Sequence, residues 1–204
     1  MKLPPAPKTP EYNYADLAAA LHIPTRYAGG FGTFTDRTRA AKAARRDALR
    51  WCETFNPKGN GIRFTGPTGT GKTHLACAIL MKLAEAGRPG RFVAASQLMS
   101  DLRKSFSRRE DSPEPDGETI LSELAETPVL LLDEFGGETA KDWVADRLYL
   151  LVNSRYSNLR PIIVTSNLAL EEAGKRLGTA GERIASRLLE CTDEPICLGG
   201  ESQR

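Results

Sequence analysis

The octapeptide Gly66-Pro67-Thr68-Gly69-Thr70-Gly71-Lys72-Thr73 carries the most specific chemistry in the chain. It has the spacing of a phosphate loop: a glycine, four free positions, then Gly-Lys and a hydroxyl residue. Its glycines let the backbone wrap closely around an anion and turn several N–H groups toward it. The loop lies between an apolar run and a helical stretch, so the helix N-terminus adds a positive dipole end. Lys72 is the residue to neutralise the β- and γ-phosphates of a nucleotide, and the Thr73 hydroxyl the one to ligate Mg²⁺. His74 follows directly and is counted with the nucleotide-binding residues.

Two further segments supply polar groups at strand ends. Leu130-Leu131-Leu132-Asp133-Glu134 is an apolar run closed by two carboxylates. Beside a phosphate loop, Asp133 suits Mg²⁺ and Glu134 suits orienting or deprotonating an attacking water. Val164-Thr165-Ser166-Asn167 ends the next apolar run with an amide. Asn167 either serves the turn, as asparagine often does, or reaches the γ-phosphate or the water. Near the C-terminus, Gly181-Glu182-Arg183-Ile184-Ala185-Ser186-Arg187-Leu188 places two arginines four residues apart, on one side of a helix.

These residues need a scaffold that gathers strand ends, and the rest of the chain reads as one. After the turn at Asn56-Pro57-Lys58-Gly59-Asn60-Gly61, short apolar runs at 61–65, 91–96, 128–133, 161–166 and 195–198 alternate with helical stretches near 72–86, 97–106, 120–125 and 140–156. Two short helices are expected between the fourth and fifth runs. Such alternation implies a parallel sheet covered on both faces, with ligands at the carboxyl ends of the strands. Upstream, an amphipathic helix is expected over 36–55, with Ala40, Ala44, Ala48, Trp51 and Phe55 on its apolar side, and a short one over 14–21. The segment 107–118 is polar and proline-bearing, hence a surface loop.

Composition sets the outer bounds. The chain has 204 residues, 40% hydrophobic and 26% charged, which suits one globular domain with a substantial core. A net charge of +2 leaves any nucleic-acid role to local patches. The four cysteines form no C-x-x-C pair and the two histidines do not complement them, so reduced thiols rather than zinc are expected. No apolar run approaches the roughly 18 residues of a membrane helix. The N-terminus has no apolar core for a secretory signal, and a cytoplasmic location without membrane contact is expected. Residues 1–22 read as a proline-rich tail and short helix, residues 23–204 as the main domain.

The three polar segments, in this order and with two arginines downstream, resemble the AAA+ ATPases. More narrowly, the chain is similar to the DnaC/DnaI helicase-loader and IstB-like branch. The similarity runs from Ile23-Pro24-Thr25-Arg26-Tyr27 to the C-terminus, through "GPTGTGKTHLACAI", "LLLDEFGGE", "LYLLVNSRY", "IIVTSNL", "GERIASRLLE" and "LGGESQR". It implies a three-layer α/β/α fold around a five-stranded parallel sheet with little or no C-terminal lid. It also implies ATP hydrolysis with Mg²⁺, weak until stimulated, and head-to-tail assembly of copies into a spiral or filament on DNA.

In that family an arginine of the adjacent subunit acts at the γ-phosphate. The resemblance gives that role to Arg187, with Arg183 as support or as the alternative, and places Arg204 where loaders carry a sensing arginine. Such an arginine is worth about 10³–10⁵ in rate, or about 4–7 kcal/mol, against about 0–1 kcal/mol for an exposed ion pair. For DNA, Leu102 to Arg109 interleaves Phe106 with four cations. Arg103 and Phe106 either form a single-stranded DNA contact, as the helix after the second strand does in loaders, or a solvated basic face with Phe106 turned inward. Trp143 is either core or a second DNA contact, with Lys141 beside it.

The expected partner is a replicative helicase, the alternative a transposase. A small-molecule kinase lacks a clear lid and acceptor pocket here, and Glu134 argues against a non-hydrolysing scaffold.

Overall fold

A computed structural model of the chain describes residues 13–105, 116–137 and 142–199. Phe106, Lys141, Arg204 and most of the expected 107–118 loop lie outside the described residues. The helices are α1 (Tyr14–Ala20), α2 (Arg39–Glu53), α3 (Lys72–Glu85), α4 (Ala95–Ser105), α5 (Gly117–Glu126), α6 (Asp142–Ser157), α7 (Leu170–Arg176) and α8 (Gly178–Glu190). The strands are β1 (Ile62–Thr65), β2 (Gly90–Ala94), β3 (Val129–Asp133), β4 (Ile162–Ser166) and β5 (Ile196–Cys197). They form a five-stranded, all-parallel sheet in the order β2-β3-β4-β1-β5.

Alternation along the strands divides the core into two layers, because successive side chains point to opposite faces. Leu130, Leu132, Ile162 and Val164 pack with α4–α8. Leu131, Ile163, Ile62 and Phe64 pack with α1, α2 and α3. Both β3 and β4 are buried along their whole length, as continuous apolar runs in a covered parallel sheet should be.

Local capping moves several element ends. α2 starts at Arg39, not Asp36, because the Thr38 hydroxyl accepts from the Ala41 N–H at 3.0 Å. Its buried stripe is Ala41, Ala44 and Ala48, with Ala40 only half-buried. α5 begins within the segment expected to be loop, since Asp116 caps it by accepting from the Thr119 N–H at 2.7 Å. α8 runs 13 residues rather than being short. Residues 23–35 form two single 3-10 turns, Thr25–Tyr27 and Gly30–Gly32, that no periodicity announced. Ile23 and Phe34 tie this strap into the α3 side of the core. Among the described residues no helix is long and apolar enough to cross a membrane.

The lower end of the sheet is held by a buried cation. Arg155, on α6, has no exposed surface. Its Nη1 donates to the carbonyls of Leu124 (2.7 Å), Ala125 (3.3 Å) and Thr127 (2.7 Å), and its Nη2 to those of Pro128 (3.2 Å) and Pro161 (2.8 Å). One guanidinium thus fastens the end of α5 to the chain leading into β3 and β4. Replacing it with alanine removes five hydrogen bonds, although the Ala125 carbonyl keeps Arg160 and the Pro161 carbonyl keeps the Leu130 N–H. Arg155→Ala is expected to lower stability by about 3–5 kcal/mol in urea unfolding.

Candidate nucleotide site

Parallel strands end on the same edge, so the order β3-β4-β1 sets three loops side by side. Thr65 of β1 pairs with Ser166 of β4, which brings Gly66 next to Asn167. Leu132 of β3 pairs with Val164 of β4, which brings Asp133 next to Thr165. β4 therefore lies between the phosphate-loop strand and the acidic strand.

The loop can be built only from glycine at its tightest points. Gly66 has φ +139, and a Cβ there would stand 2.0 Å from the Leu198 carbonyl oxygen. Gly71, at φ +97, caps α3 and would press a Cβ to 2.7 Å from the Phe34 ring. Thr70 closes the turn by donating to the Pro67 carbonyl at 2.9 Å. The Lys72 ammonium lies inside the loop, donating to the Gly66 and Pro67 carbonyls at 2.8 Å each. Burial lowers its pKa below the usual lysine value, opposed by Asp133 and Glu134.

Asp133 is the junction. It is 6% exposed, and its Oδ1 accepts from the hydroxyls of Thr73 (2.9 Å) and Thr165 (2.6 Å). Burial raises its pKa above the ordinary carboxyl value, while the two hydroxyls pull it down. The next residue, Glu134, has φ +58, a left-handed backbone that costs a non-glycine residue about 1–3 kcal/mol. Its N–H donates to the Thr165 hydroxyl at 2.9 Å, and the Phe135 N–H donates to the Thr165 carbonyl at 2.9 Å. Ser166 completes the clamp, donating to the Phe135 carbonyl at 2.8 Å and accepting from the Leu168 N–H at 3.1 Å.

Thr68, Gly69, Gly71, Lys72, Thr73, His74, Glu134 and Asn167 line one cleft of about 170 Å³. Residues expected from three separate segments therefore share one space. The same cleft is lined by Arg26, Tyr27, Phe34 and Thr35 of the strap, which the residues alone did not suggest. The faint signal was one cation and two aromatics just upstream of a phosphate loop. Thr165 was passed over as well, because only strand order shows that its hydroxyl falls between the two acids.

His74 is the hinge between strap and loop helix. Its Nε2 donates to the Gly30 carbonyl at 3.0 Å and lies 3.2 Å from the Thr33 hydroxyl. Its ring sits 5.8 Å from that of Tyr27 and meets Phe34 edge-on at 5.3 Å.

Several expected residues lie elsewhere. Arg183 and Arg187 are on the face of α8 that meets α6, not among the residues lining the cleft. Arg103 is in the last turn of α4 and half-buried. Trp143, in the first turn of α6, is 38% exposed, and the buried face of that helix belongs to Val144, Leu148, Leu151 and Val152.

A family model described as IstB-like ATP binding protein matches residues 33–204. The chain belongs to the IstB-like ATP-binding protein family. It is 30% identical over 141 residues to the replicative helicase loader DnaC of Escherichia coli K12, covering 69% of this chain and 55% of that protein. It is 35% identical over 138 residues to a Mycobacterium tuberculosis protein named as an insertion-sequence ATP-binding protein, covering 67% of this chain and 51% of that one. The chain thus spans about half the length of these curated relatives.

A crystal structure of the DnaC helicase loader superposes with a TM-score of 0.72 at 27% identity, over 87% of this chain and 100% of that one. AMPPCP-bound DnaA from Aquifex aeolicus shares the fold, with a TM-score of 0.67 at 18% identity over 86% of this chain and 50% of that one. The fold is that of the AAA+ P-loop ATPases.

The His74 contacts give a pH signature. Burial holds its pKa below 6.5. The folded chain therefore resists protonation that the unfolded chain accepts, so stability is full above pH 6.5 and falls as pH drops toward the folded pKa. His74→Gln keeps a donor for Gly30 without the titration. Thermal melts from pH 8 to 5 are expected to show wild type losing stability relative to His74→Gln below pH 6.5.

Proposed function

We propose that the chain is an ATP-hydrolysing member of its family that assembles on DNA and delivers a replicative helicase. The observation that carries the reading is the convergence of Lys72, Thr73, Asp133, Glu134 and Asn167 at the ends of three adjacent strands. In this reading the Gly66–Thr73 backbone cradles the phosphates of ATP. Lys72 leaves its two loop carbonyls for β- and γ-phosphate oxygens, an exchange of neutral acceptors for charged ones. The Thr73 hydroxyl and Asp133 carboxylate are hard oxygen donors of the kind Mg²⁺ takes, and that ion, when bound, neutralises charge on the β- and γ-phosphates.

Glu134, exposed in the cleft beside buried Asp133, orients the attacking water and takes its proton. Asn167 holds the γ-phosphate or that water from β4. Arg187 acts in the cleft of the next subunit, supported by Arg183, and Arg204 senses the nucleotide. A head-to-tail arrangement follows, since each copy's arginine serves its neighbour. Single-stranded DNA is held by Arg103, Phe106, Lys141 and Trp143, with exposed Trp143 offered for base stacking.

A second reading, delivery of a transposase, is favoured by the family model and by 35% identity to the insertion-sequence protein. Glu134→Gln protein separates the two. It is expected to bind ATP within about threefold of wild type, to lose hydrolysis at least tenfold, and to stay on a single-stranded oligonucleotide while ATP is present. Used as bait in lysate, it recovers a replicative helicase on the first reading and a transposase on the second; recovery of neither contradicts both.

A further inference from the structure

The two arginines of α8 are not equally placed, and the difference lies in α6. Tyr149, Asn153 and Tyr156 stand on one side of α6 at spacings of four and three, and Arg183, Arg187 and Glu190 repeat those spacings on α8. The two rows face each other. Arg183 stacks its guanidinium 3.7 Å from the centre of the Tyr149 ring. Its side chain makes no hydrogen bond among the described residues.

Arg187 is held from three sides. Its guanidinium lies 4.5 Å from the centre of the Tyr156 ring, its Nε donates to the Asn153 Oδ1 at 3.3 Å, and its Nη1 donates to Glu190 at 3.2 and 3.4 Å. The holders are themselves held. The Tyr156 hydroxyl donates to Glu190 Oε2 at 2.7 Å, Ser186 donates to Glu190 Oε1 at 3.3 Å, and the Tyr149 hydroxyl donates to Asn153 at 3.3 Å. Among the described residues, Nη2 of Arg187 has no acceptor, and a third of the side chain is exposed.

An exposed ion pair contributes little to stability, so a network of this size on a surface arginine is poorly explained as reinforcement. A long side chain loses rotamer freedom when it engages a partner, and fixing it beforehand removes that cost from the encounter. We propose that Asn153, Tyr156 and Glu190 are positioning residues that fix Arg187 in the lone subunit and leave Nη2 for a phosphate oxygen bound to a second copy of this chain. The proposal rests on the reading of Arg187 as acting across a subunit interface. It also separates the arginines: Arg187 is the preset one, and Arg183 is held by a single ring.

The test uses the full chain and two readouts. Nitrogen-15 relaxation of arginine Nε–H groups without nucleotide is expected to find Arg187 ordered in wild type, and as mobile as Arg183 in Glu190→Gln and in Tyr156→Leu. Glu190→Gln is also expected to lower kcat about threefold to tenfold with KM little changed. Mixing it with a large excess of Lys72→Ala protein, which supplies an intact Arg187 and Glu190, then brings the rate per intact phosphate loop close to that of wild type mixed with the same excess.

A parallel mixture of Arg187→Ala with Lys72→Ala reports on the underlying reading, and no rescue there contradicts action across the interface. With rescue there, the positioning assignment alone is overturned by any of three results. Glu190→Gln turns over at the wild-type rate, or keeps Arg187 ordered, or is slow and not rescued.

Discussion

Asp133 binds together chain segments that are remote in sequence and adjacent in space. Its Oδ1 takes the hydroxyl of Thr73 from the phosphate-loop helix and that of Thr165 from β4. Thr165 in turn accepts the Glu134 N–H and so holds the second acid in its left-handed backbone. A buried carboxylate without such donors would carry its full desolvation cost. With them it fixes how far the loop, the acids and the β4 terminus stand from one another. The fold serves this contact from both ends. Strand register sets the three loops at one edge, and Arg155 fastens the opposite ends of β3 and β4 through five carbonyls.

The nucleotide cleft and the arginine row divide the work along the same helices. Polar groups at the sheet edge are oriented by backbone and hydroxyl bonds that a single subunit makes for itself. Arg187 is instead fixed on the α6–α8 face, away from that subunit's own cleft residues. In the proposed function, each subunit is then complete as a binder of nucleotide and incomplete as a catalyst. This suits a protein whose hydrolysis is to depend on assembly.

Much of this was legible in the sequence because local patterns carried it. The phosphate loop has a fixed spacing, the buried strands are continuous apolar runs, and the family resemblance to DnaC and IstB-like proteins is dense along the chain. What escaped depends on contacts between distant segments. The spacing of Val164-Thr165-Ser166-Asn167 drew attention to the amide, yet Thr165 is the residue that meets both acids. Tyr27 and Phe34 belong to 3-10 turns with no periodicity, and only their packing on His74 and Gly71 brings them to the cleft. Capping overrode the pattern at Thr38 and Asp116. The arginine pair was visible as a spacing, but its unequal hold came from α6.

The most direct measurement compares ATP binding and hydrolysis in Thr165→Val and Thr165→Ser proteins. Valine matches threonine in shape but removes one donor to Asp133 and the acceptor of the Glu134 N–H, whereas serine keeps both. The account expects Thr165→Val to bind ATP within about threefold of wild type and to lose at least tenfold in kcat, the equivalent of about 1.4 kcal/mol or more. Thr165→Ser should stay close to wild type in both. Wild-type turnover in Thr165→Val would contradict the claim that this hydroxyl junction organises the site.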